Sequence, residues 1–131
     1  MFLDTVAYSA LAEGMQSIID AISSASAITL PLPVIGELRY GFLKGSQTER
    51  NEENLQRFLA QAHVSIAEPT IKTTTLYAQL QLLCVRRGKV LSHNDIWIAA
   101  LALEAEATLV TYDQDFSVFS ELFDNKLIIL T

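Results

Sequence analysis

The chain has 131 residues, half of them apolar, and a formal net charge of −6. This length fits a single domain, and the acidic balance argues against a general nucleic-acid binder, which would normally be basic. No apolar run approaches the ~18 residues that span a bilayer, and Asp4 stands where a signal peptide carries basic residues. The only cysteine, Cys84, excludes an internal disulfide. We therefore expect a cytoplasmic protein without a membrane segment.

The first residues form a short apolar run from Met1 that ends in an acid, Asp4. This pattern predicts a first strand with Asp4 at its carboxyl end. Thr5 is placed to cap the helix that follows. Helical spacing of apolar residues continues to about Ser24, and Gly14 predicts a break within it.

The second strand and the helix after it carry the next acid. Residues 27–32 are apolar and predict a buried strand. Pro33 then begins a helix, as proline does at the first helical position, and Glu37 is expected in its first turn. The polar segment 45–53 leads into a further helix that ends near Ala62.

The second half of the chain repeats the alternation of strands and helices. Residues 63–67 alternate in polarity and predict a third strand, and residues 69–87 predict a long helix that Gly88 ends. Residues 108–111 and 126–130 predict the fourth and fifth strands.

The helix between the third and fourth predicted strands is almost entirely apolar. Ser92 is a good N-cap, and Asp95 follows three residues later as in a variant capping box. No residue from Ile96 to Leu103 is charged, which predicts a helix buried nearly all round. Trp97 is accordingly interpreted as a core residue.

This order of elements predicts the fold class. Strands that alternate with helices indicate an α/β fold: a three-layer α/β/α sandwich with a mainly parallel sheet, in a single domain over residues 1–131. Ligands of such sheets bind outside the carboxyl ends of the strands.

Four acids are expected to meet at that edge, because each follows a strand or begins a helix there. We call them the acidic cluster: Asp4, Glu37, Asp95 and Asp113. Each acid alone has an ordinary explanation as a turn, surface or cap residue, but together they would repel one another strongly. Mg²⁺ or Mn²⁺ would remove that repulsion, and a carboxylate-held metal activates water and stabilises displacement at phosphorus.

The segments that carry these acids resemble those of the PIN-domain family, and within it the VapC-type toxins. They are L-D-T-V-A-Y-S-A-L, P-V-I-G-E-L-R-Y-G, S-H-N-D-I-W-I-A-A and T-L-V-T-Y-D-Q-D-F. The resemblance implies a Mg²⁺- or Mn²⁺-dependent endoribonuclease, the toxin of a type II toxin–antitoxin pair. It places the catalytic acids on the acidic cluster, with Asp4, Asp95 and Asp113 as metal ligands.

Four further polar residues are candidates for supporting this site: Thr5, Asn94, Thr111 and Asp115. Thr111 matches a polar residue that often assists in the last family motif. That motif is shorter here, since Asp113 and Asp115 are two residues apart. We expect Asp113 to face the metal and Asp115 to cap or begin the next helix, with Phe116 turned inward.

The expected partners are an RNA substrate, a second copy of the chain and a small cognate antitoxin. Five basic residues are candidates for RNA phosphate contacts: Arg39, Lys44, Arg86, Arg87 and Lys89. Apolar residues in excess of a core often mark an interface. The candidates are Leu11, Met15, Ile18, Leu38, Phe42 and Leu43.

Two other functions compete with the nuclease. One is a catalytically inactive PIN-like binding module in a protein complex, against which the intact acidic cluster argues. The other is a receiver-type signalling domain, disfavoured because Asp4 has no acidic neighbour and Lys126 begins a strand. His63 and His93 are interpreted as a strand-end residue and a loop residue, since the metal chemistry needs neither as a base.

Overall fold

A computed structural model describes residues 1–131 and contains one five-stranded sheet. The strands are β1 (Phe2–Leu3), β2 (Ile28–Pro31), β3 (Val64–Ala67), β4 (Leu109–Thr111) and β5 (Leu127–Ile129). Their order in the sheet is β3-β2-β1-β4-β5, and every neighbouring pair is parallel.

Helices flank this sheet, and a 3₁₀ helix follows β4. The α-helices are α1 (Thr5–Ala12), α2 (Gln16–Ile22), α3 (Leu32–Lys44), α4 (Thr48–Leu59), α5 (Ile71–Arg86), α6 (His93–Glu104) and α7 (Ser120–Phe123); the 3₁₀ helix is Gln114–Phe119. The predicted α/β/α sandwich is confirmed, and its sheet is wholly parallel. None of the helices combines the length and apolar character needed to cross a bilayer.

The shortest strand, β1, lies at the centre of the sheet. Phe2 is paired with Thr29 on one side and with Leu109 on the other. Leu3 is fully buried, as expected for a parallel strand that is covered on both faces. The residue after Leu3 therefore emerges at the middle of the carboxyl edge.

The strand order reverses direction at β1. From β1 the chain adds β2 and β3 on one side, and it later returns to add β4 and β5 on the other. Crevices at such switch points, outside the carboxyl ends of the strands, are where open α/β sheets bind ligands. The crevice between β1 and β4 lies directly after Leu3 and Thr111.

Helix α6 is the most buried helix, as its sequence predicted. Six of its twelve residues are buried, including three alanines that allow close packing. The Asp95 backbone N–H donates to the Ser92 hydroxyl at 3.1 Å, which confirms Ser92 as the N-cap. The buried body of α6 thus holds its first turn in place.

Helix α5 lies antiparallel to α6. The Thr73 hydroxyl, near the start of α5, donates to Glu104 at the end of α6 at 2.7 Å. Tyr77, one turn further along α5, contacts His93 at the start of α6. The end of α5 and the loop after it therefore lie at the same end of the molecule as the first turn of α6.

Two predicted helix starts are wrong by one residue, and both changes affect the acidic cluster. Helix α3 begins at Leu32 rather than Pro33, so Glu37 lies in its second turn and not its first. Helix α1 is capped by Asp4 and not by Thr5, because the Asp4 carboxylate accepts from the Ala7 N–H. Thr5 becomes the first helical residue.

The break predicted at Gly14 is confirmed. Gly14 lies between α1 and α2 with φ of +76°, a left-handed conformation that costs glycine little.

The predicted surplus of apolar surface is wrong at two positions. Ile18 and Leu38 are buried in the core and offer nothing to a partner. Met15 and Leu43 are exposed as expected, whereas Leu11 and Phe42 pack partly against the core.

Candidate active site

Asp4 is a buried carboxylate at the carboxyl end of the central strand. Only 4 % of it is exposed, its Oδ1 accepts from the Ala7 N–H at 2.9 Å, and its Oδ2 accepts from the Thr111 hydroxyl. Burial raises the pKa of Asp4, and the nearby charges of Asp113 and Glu37 add to the rise, while the two hydrogen bonds oppose it. The side chain is thus fixed in place but costly to ionise.

Thr111 joins the two acids that follow β1 and β4. It is fully buried, donates to Asp4 and accepts from the Asp113 backbone N–H at 2.9 Å. A single hydroxyl therefore sets the distance between the end of β1 and the turn after β4. The structure places Thr111 where a supporting residue was expected.

Asp113 is the N-cap of the 3₁₀ helix. Its Oδ1 accepts from the Asp115 N–H at 2.8 Å. Of the two roles expected for Asp115, to cap or to begin this helix, the cap belongs to Asp113, and Asp115 lies exposed in the first turn. Phe116 is fully buried, as predicted.

Glu37 is oriented by Thr5 across the site. The Thr5 hydroxyl donates to the Glu37 Oε1 at 3.0 Å. This contact exists because Asp4, rather than Thr5, caps α1, which leaves the Thr5 hydroxyl free to face α3. Thr5 is therefore a supporting residue by position.

The pKa of Asp95 responds to the charges of the other three acids. Burial raises its pKa from 3.8 to about 6, and repulsion from Glu37, Asp113 and Asp4 adds to that rise, against a hydrogen bond with Ser92. The charges of Glu37, Asp113 and Asp4 thus all reach Asp95. Asn94 is exposed beside Asp95 in the same turn.

No cation of the chain compensates the acidic cluster. The only ion pairs are Arg39–Glu52 and Arg87–Glu121, so none of the four acids has a basic partner. No three Asp, Glu, His or Cys side chains are close enough to form a complete metal-binding group. The donor chemistry nevertheless fits a hard divalent cation, since all four acids offer oxygen ligands and repel one another.

Several candidate RNA-binding residues are engaged elsewhere. Arg39 donates through Nε and Nη2 to Glu52, both at 2.9 Å. Arg87 donates to the Val118 carbonyl at 2.8 Å as well as to Glu121. Lys44 lies 4.7 Å from the ring centre of Tyr40. Arg86 and Lys89 are exposed and form no ion pair.

A contact that no sequence motif indicated holds the edge of the site. The Ser17 and Tyr112 hydroxyls are 2.5 Å apart and join α2 to the segment between Thr111 and Asp113. The residues are 95 positions apart, so no local pattern could have identified the pair.

A second missed feature is an aromatic group on α5 and α6, which we call the aromatic plate: Tyr77, His93 and Trp97. The Tyr77 and Trp97 rings stack with centroids 4.3 Å apart, and the Tyr77 hydroxyl lies 2.5 Å from His93 Nδ1. The four-residue spacing of His93 and Trp97 places them on one helix face, and this was the available signal. His63, by contrast, is exposed just before β3, away from the carboxyl edge.

Comparison with known proteins identifies relatives of this chain. The PIN-domain family model matches residues 1–122. Ribonuclease VapC2 of Rickettsia felis is 30 % identical over 93 residues, which cover 71 % of this chain and 68 % of that protein. Ribonuclease VapC5 of Mycobacterium tuberculosis is 25 % identical over 115 residues, covering 88 % of this chain and 84 % of that protein.

Solved structures share the fold. A chain of VapBC2 from Rickettsia felis, crystallised with a DNA fragment from its promoter, superposes with a TM-score of 0.77 at 26 % identity, covering 98 % of this chain and 96 % of that one. A chain of VapBC-1 from Haemophilus influenzae has the same TM-score and coverage at 18 % identity, which shows the fold alone.

The raised pKa of Asp95 predicts how stability depends on pH. The unfolded chain releases this proton near pH 3.8 and the folded chain near pH 6, so the folded state binds more protons between these values and stability falls as pH rises. We expect Asp95→Asn to be more stable than wild type at pH 7.5 in chelator, by on the order of 1 kcal/mol after allowance for solvent screening. The gain should shrink at pH 5.

Thermal melts at both pH values measure this effect. Glu53→Gln removes one exposed charge in α4 and serves as the control, with an expected effect near zero. An Asp95→Asn variant that melts below wild type at pH 7.5 would contradict the predicted repulsion.

The cap at Asp113 predicts a difference between two substitutions at one position. Asparagine retains the side-chain oxygen that accepts from the Asp115 N–H, whereas alanine removes it. We therefore expect Asp113→Ala to be less stable than Asp113→Asn by about 1 kcal/mol. Asp115→Asn, which removes no cap, should melt close to wild type; urea unfolding of the three variants gives the comparison. A larger loss in Asp115→Asn than in Asp113→Ala would show that the cap is misassigned.

Proposed function

Because this chain belongs to the PIN-domain family, and VapC ribonucleases are among its relatives, we propose that it is a Mg²⁺- or Mn²⁺-dependent endoribonuclease. We propose further that it is the toxin of a type II toxin–antitoxin pair. The reaction is hydrolysis of a phosphodiester bond in RNA.

The observation that carries this proposal is the uncompensated charge of the acidic cluster. Asp4 and Asp95 both have a raised pKa, caused first by burial and then by the charges of the other acids, and no basic residue pairs with any of the four acids. A fold that keeps such repulsion without an internal counter-charge is suited to a cation from solution.

Asp4, Asp95 and Asp113 are the residues that would hold the metal, with Glu37 beside them. A bound Mg²⁺ or Mn²⁺ supplies an activated water and neutralises charge on the phosphate. These carboxylates would have to come closer together to hold it, since no three of them form a metal-binding group as they stand.

The supporting side chains limit how far each acid moves. Thr111 holds Asp4 by its hydroxyl and Asp113 by its backbone, and Thr5 holds Glu37. The bond from Thr5 uses one oxygen of Glu37, and the bond from the Asp115 N–H uses one oxygen of Asp113. The other oxygen of each carboxylate stays available. The acids are thus pre-oriented for a ligand that arrives between them.

The alternative is an inactive PIN-like binding module. It requires that the acidic cluster be retained without catalysis, and an RNA-cleavage assay with added metal separates the two functions. A nuclease binds Mg²⁺ or Mn²⁺ and cleaves, whereas the module does neither or binds metal without cleaving.

The first test is metal-dependent cleavage of single-stranded RNA. Purified protein should cleave with Mg²⁺ or Mn²⁺ and stop when chelator is added. Asp4→Asn and Asp95→Asn should each abolish cleavage while retaining the wild-type circular dichroism spectrum, because each removes a ligand charge. Metal should also raise the melting temperature of wild type.

Asp115→Asn is the matched control, since it removes one carboxylate two residues from Asp113 and leaves the acidic cluster intact. It should retain activity. Equal cleavage in chelator would refute metal dependence. If Asp115→Asn lost activity while Asp113→Asn kept it, the metal ligand would be Asp115 and not Asp113.

We also propose a homodimer and a small cognate antitoxin as partners. For the dimer, an apolar groove of about 490 Å³ between α5, α6 and α7 is the best-supported interface. Leu82 and Leu122 line it and are 47 % and 53 % exposed. Burying such side chains against a second copy would stabilise the pair.

Light scattering with two matched variants tests this interface. Leu122→Asp should convert the dimer to a monomer, because it places a charge in the groove. Leu43→Asp, on α3, changes a more exposed leucine outside the groove and should remain dimeric. A monomeric wild type at micromolar concentration would refute the dimer, and dissociation by Leu43→Asp alone would move the interface to α3.

A further inference from the structure

The aromatic plate has a geometry that packing between two helices does not require. The Tyr77 and His93 ring centroids are 6.3 Å apart with an interplanar angle of 29°, while the hydroxyl of one lies 2.5 Å from Nδ1 of the other. These values are compatible only when the two rings lie end to end. Tyr77 and His93 therefore form one extended, nearly flat surface.

Trp97 supports that surface from one side. Its ring is inclined by 25° to the Tyr77 ring at a centroid distance of 4.3 Å, which is a stacked arrangement. Tyr77 and Trp97 are half-buried, whereas His93 is exposed. The supported end of the plate lies between the helices, and its imidazole end faces solvent.

Helix packing alone explains only part of this arrangement. The stack of Tyr77 on Trp97 is sufficient to join α5 to α6. An exposed imidazole held in the plane of the tyrosine adds little to that contact, because exposed groups contribute little to stability. The position of His93 is better explained by a flat ligand.

The plate lies beside the acidic cluster. His93 is the first residue of α6, and Asp95 follows about 3 Å further along the helix axis. The two side chains leave different sides of the same first turn, since two residues rotate by about 200°. A strand of RNA would have to bend around this helix end to contact both.

The charge balance of the chain gives a reason for such a contact. The protein has a net charge of −6 and nine Lys and Arg residues, and the guanidinium groups of Arg39 and Arg87 are held by internal partners. The remaining seven cations are outnumbered by the fifteen acids of the chain. Stacking of a base on an aromatic ring needs no positive charge.

We propose that the aromatic plate binds a nucleobase of single-stranded RNA, on a nucleotide next to the cleaved phosphate. This inference rests on the proposed ribonuclease function. His93 supplies the exposed stacking surface, Tyr77 fixes its orientation through the hydroxyl, and Trp97 supports the tyrosine. Only an unpaired base can stack in this way, so the plate selects single strands over duplexes.

The steady-state test compares His93→Ala with His93→Phe on a short single-stranded RNA. Alanine removes the stacking ring and should raise KM by about five-fold to a hundred-fold, with kcat nearly unchanged. Phenylalanine retains a flat ring and should keep KM near wild type. His63→Ala changes the other histidine, far from the plate, and should leave both constants unchanged.

A second measurement uses the fact that Trp97 is the only tryptophan. In chelator, titration with the same RNA should quench tryptophan fluorescence in a saturable manner, and the complementary duplex should not. His93→Ala should weaken this binding, in agreement with the rise in KM expected for the same variant. Tyr77→Phe should weaken it less, since the ring stays and only the orienting hydroxyl is lost.

The outcomes separate this proposal from the nuclease function. Wild-type cleavage with an unchanged KM in His93→Ala overturns the plate alone. A KM raised equally by alanine and phenylalanine also overturns it, because the ring itself would then not be what binds. If wild type cleaves no RNA, the nuclease function fails, and the fluorescence titration then decides the plate: saturable quenching supports it and no quenching overturns it.

Discussion

The site depends on one buried carboxylate held by two segments of the chain that lie far apart. Asp4 ends the central strand, caps α1 through the Ala7 N–H and accepts from Thr111 at the end of β4. Burial of a carboxylate without a cation is costly, as its raised pKa shows. The hydrogen bonds offset part of that cost, and they fix Asp4 relative to both strands. A hydrophobic residue here would pack more cheaply but would neither cap the helix nor bind an ion.

The parallel sheet gives this carboxylate its neighbours. Because β1 lies between β2 and β4, the crevice at the switch point opens directly over Asp4. Helices α3 and α6 bring Glu37 and Asp95 to the same edge, and the turn after β4 brings Asp113. Burial raises the pKa of Asp95 to about 6, and the charges of the other three acids add to that rise. This uncompensated charge is the reason that we propose a divalent cation at the site.

The proposed RNA substrate carries the same sign of charge as the protein. Long-range forces between a chain of net charge −6 and a polyanion are unfavourable. A metal at the acidic cluster would reverse the sign locally, and the aromatic plate would add binding that does not depend on charge. One residue of each feature, Asp95 and His93, lies on the first turn of α6, so one buried helix would position the proposed chemistry and the proposed base contact together.

The amino-acid sequence by itself determined the order and type of nearly all elements, because strand and helix periodicity are local properties. It also assigned Asp4, Asp95 and Asp113 to one edge of the sheet, since residues that follow parallel strands or begin the helices between them share that edge. It did not determine the hydrogen-bond partners. Whether Asp4 or Thr5 caps α1 depends on a backbone conformation that distant strands fix.

Only the tertiary structure decided which side chains meet across long separations in the chain. Asp4 and Thr111 are 107 residues apart, and Ser17 and Tyr112 are 95 apart, so no spacing rule links them. Ile18 is buried because packing sets the rotation of α2 about its axis, which periodicity alone leaves undetermined. The aromatic plate is a further example. No sequence motif joins its three residues, and the antiparallel packing of α5 on α6 brings them together into one surface.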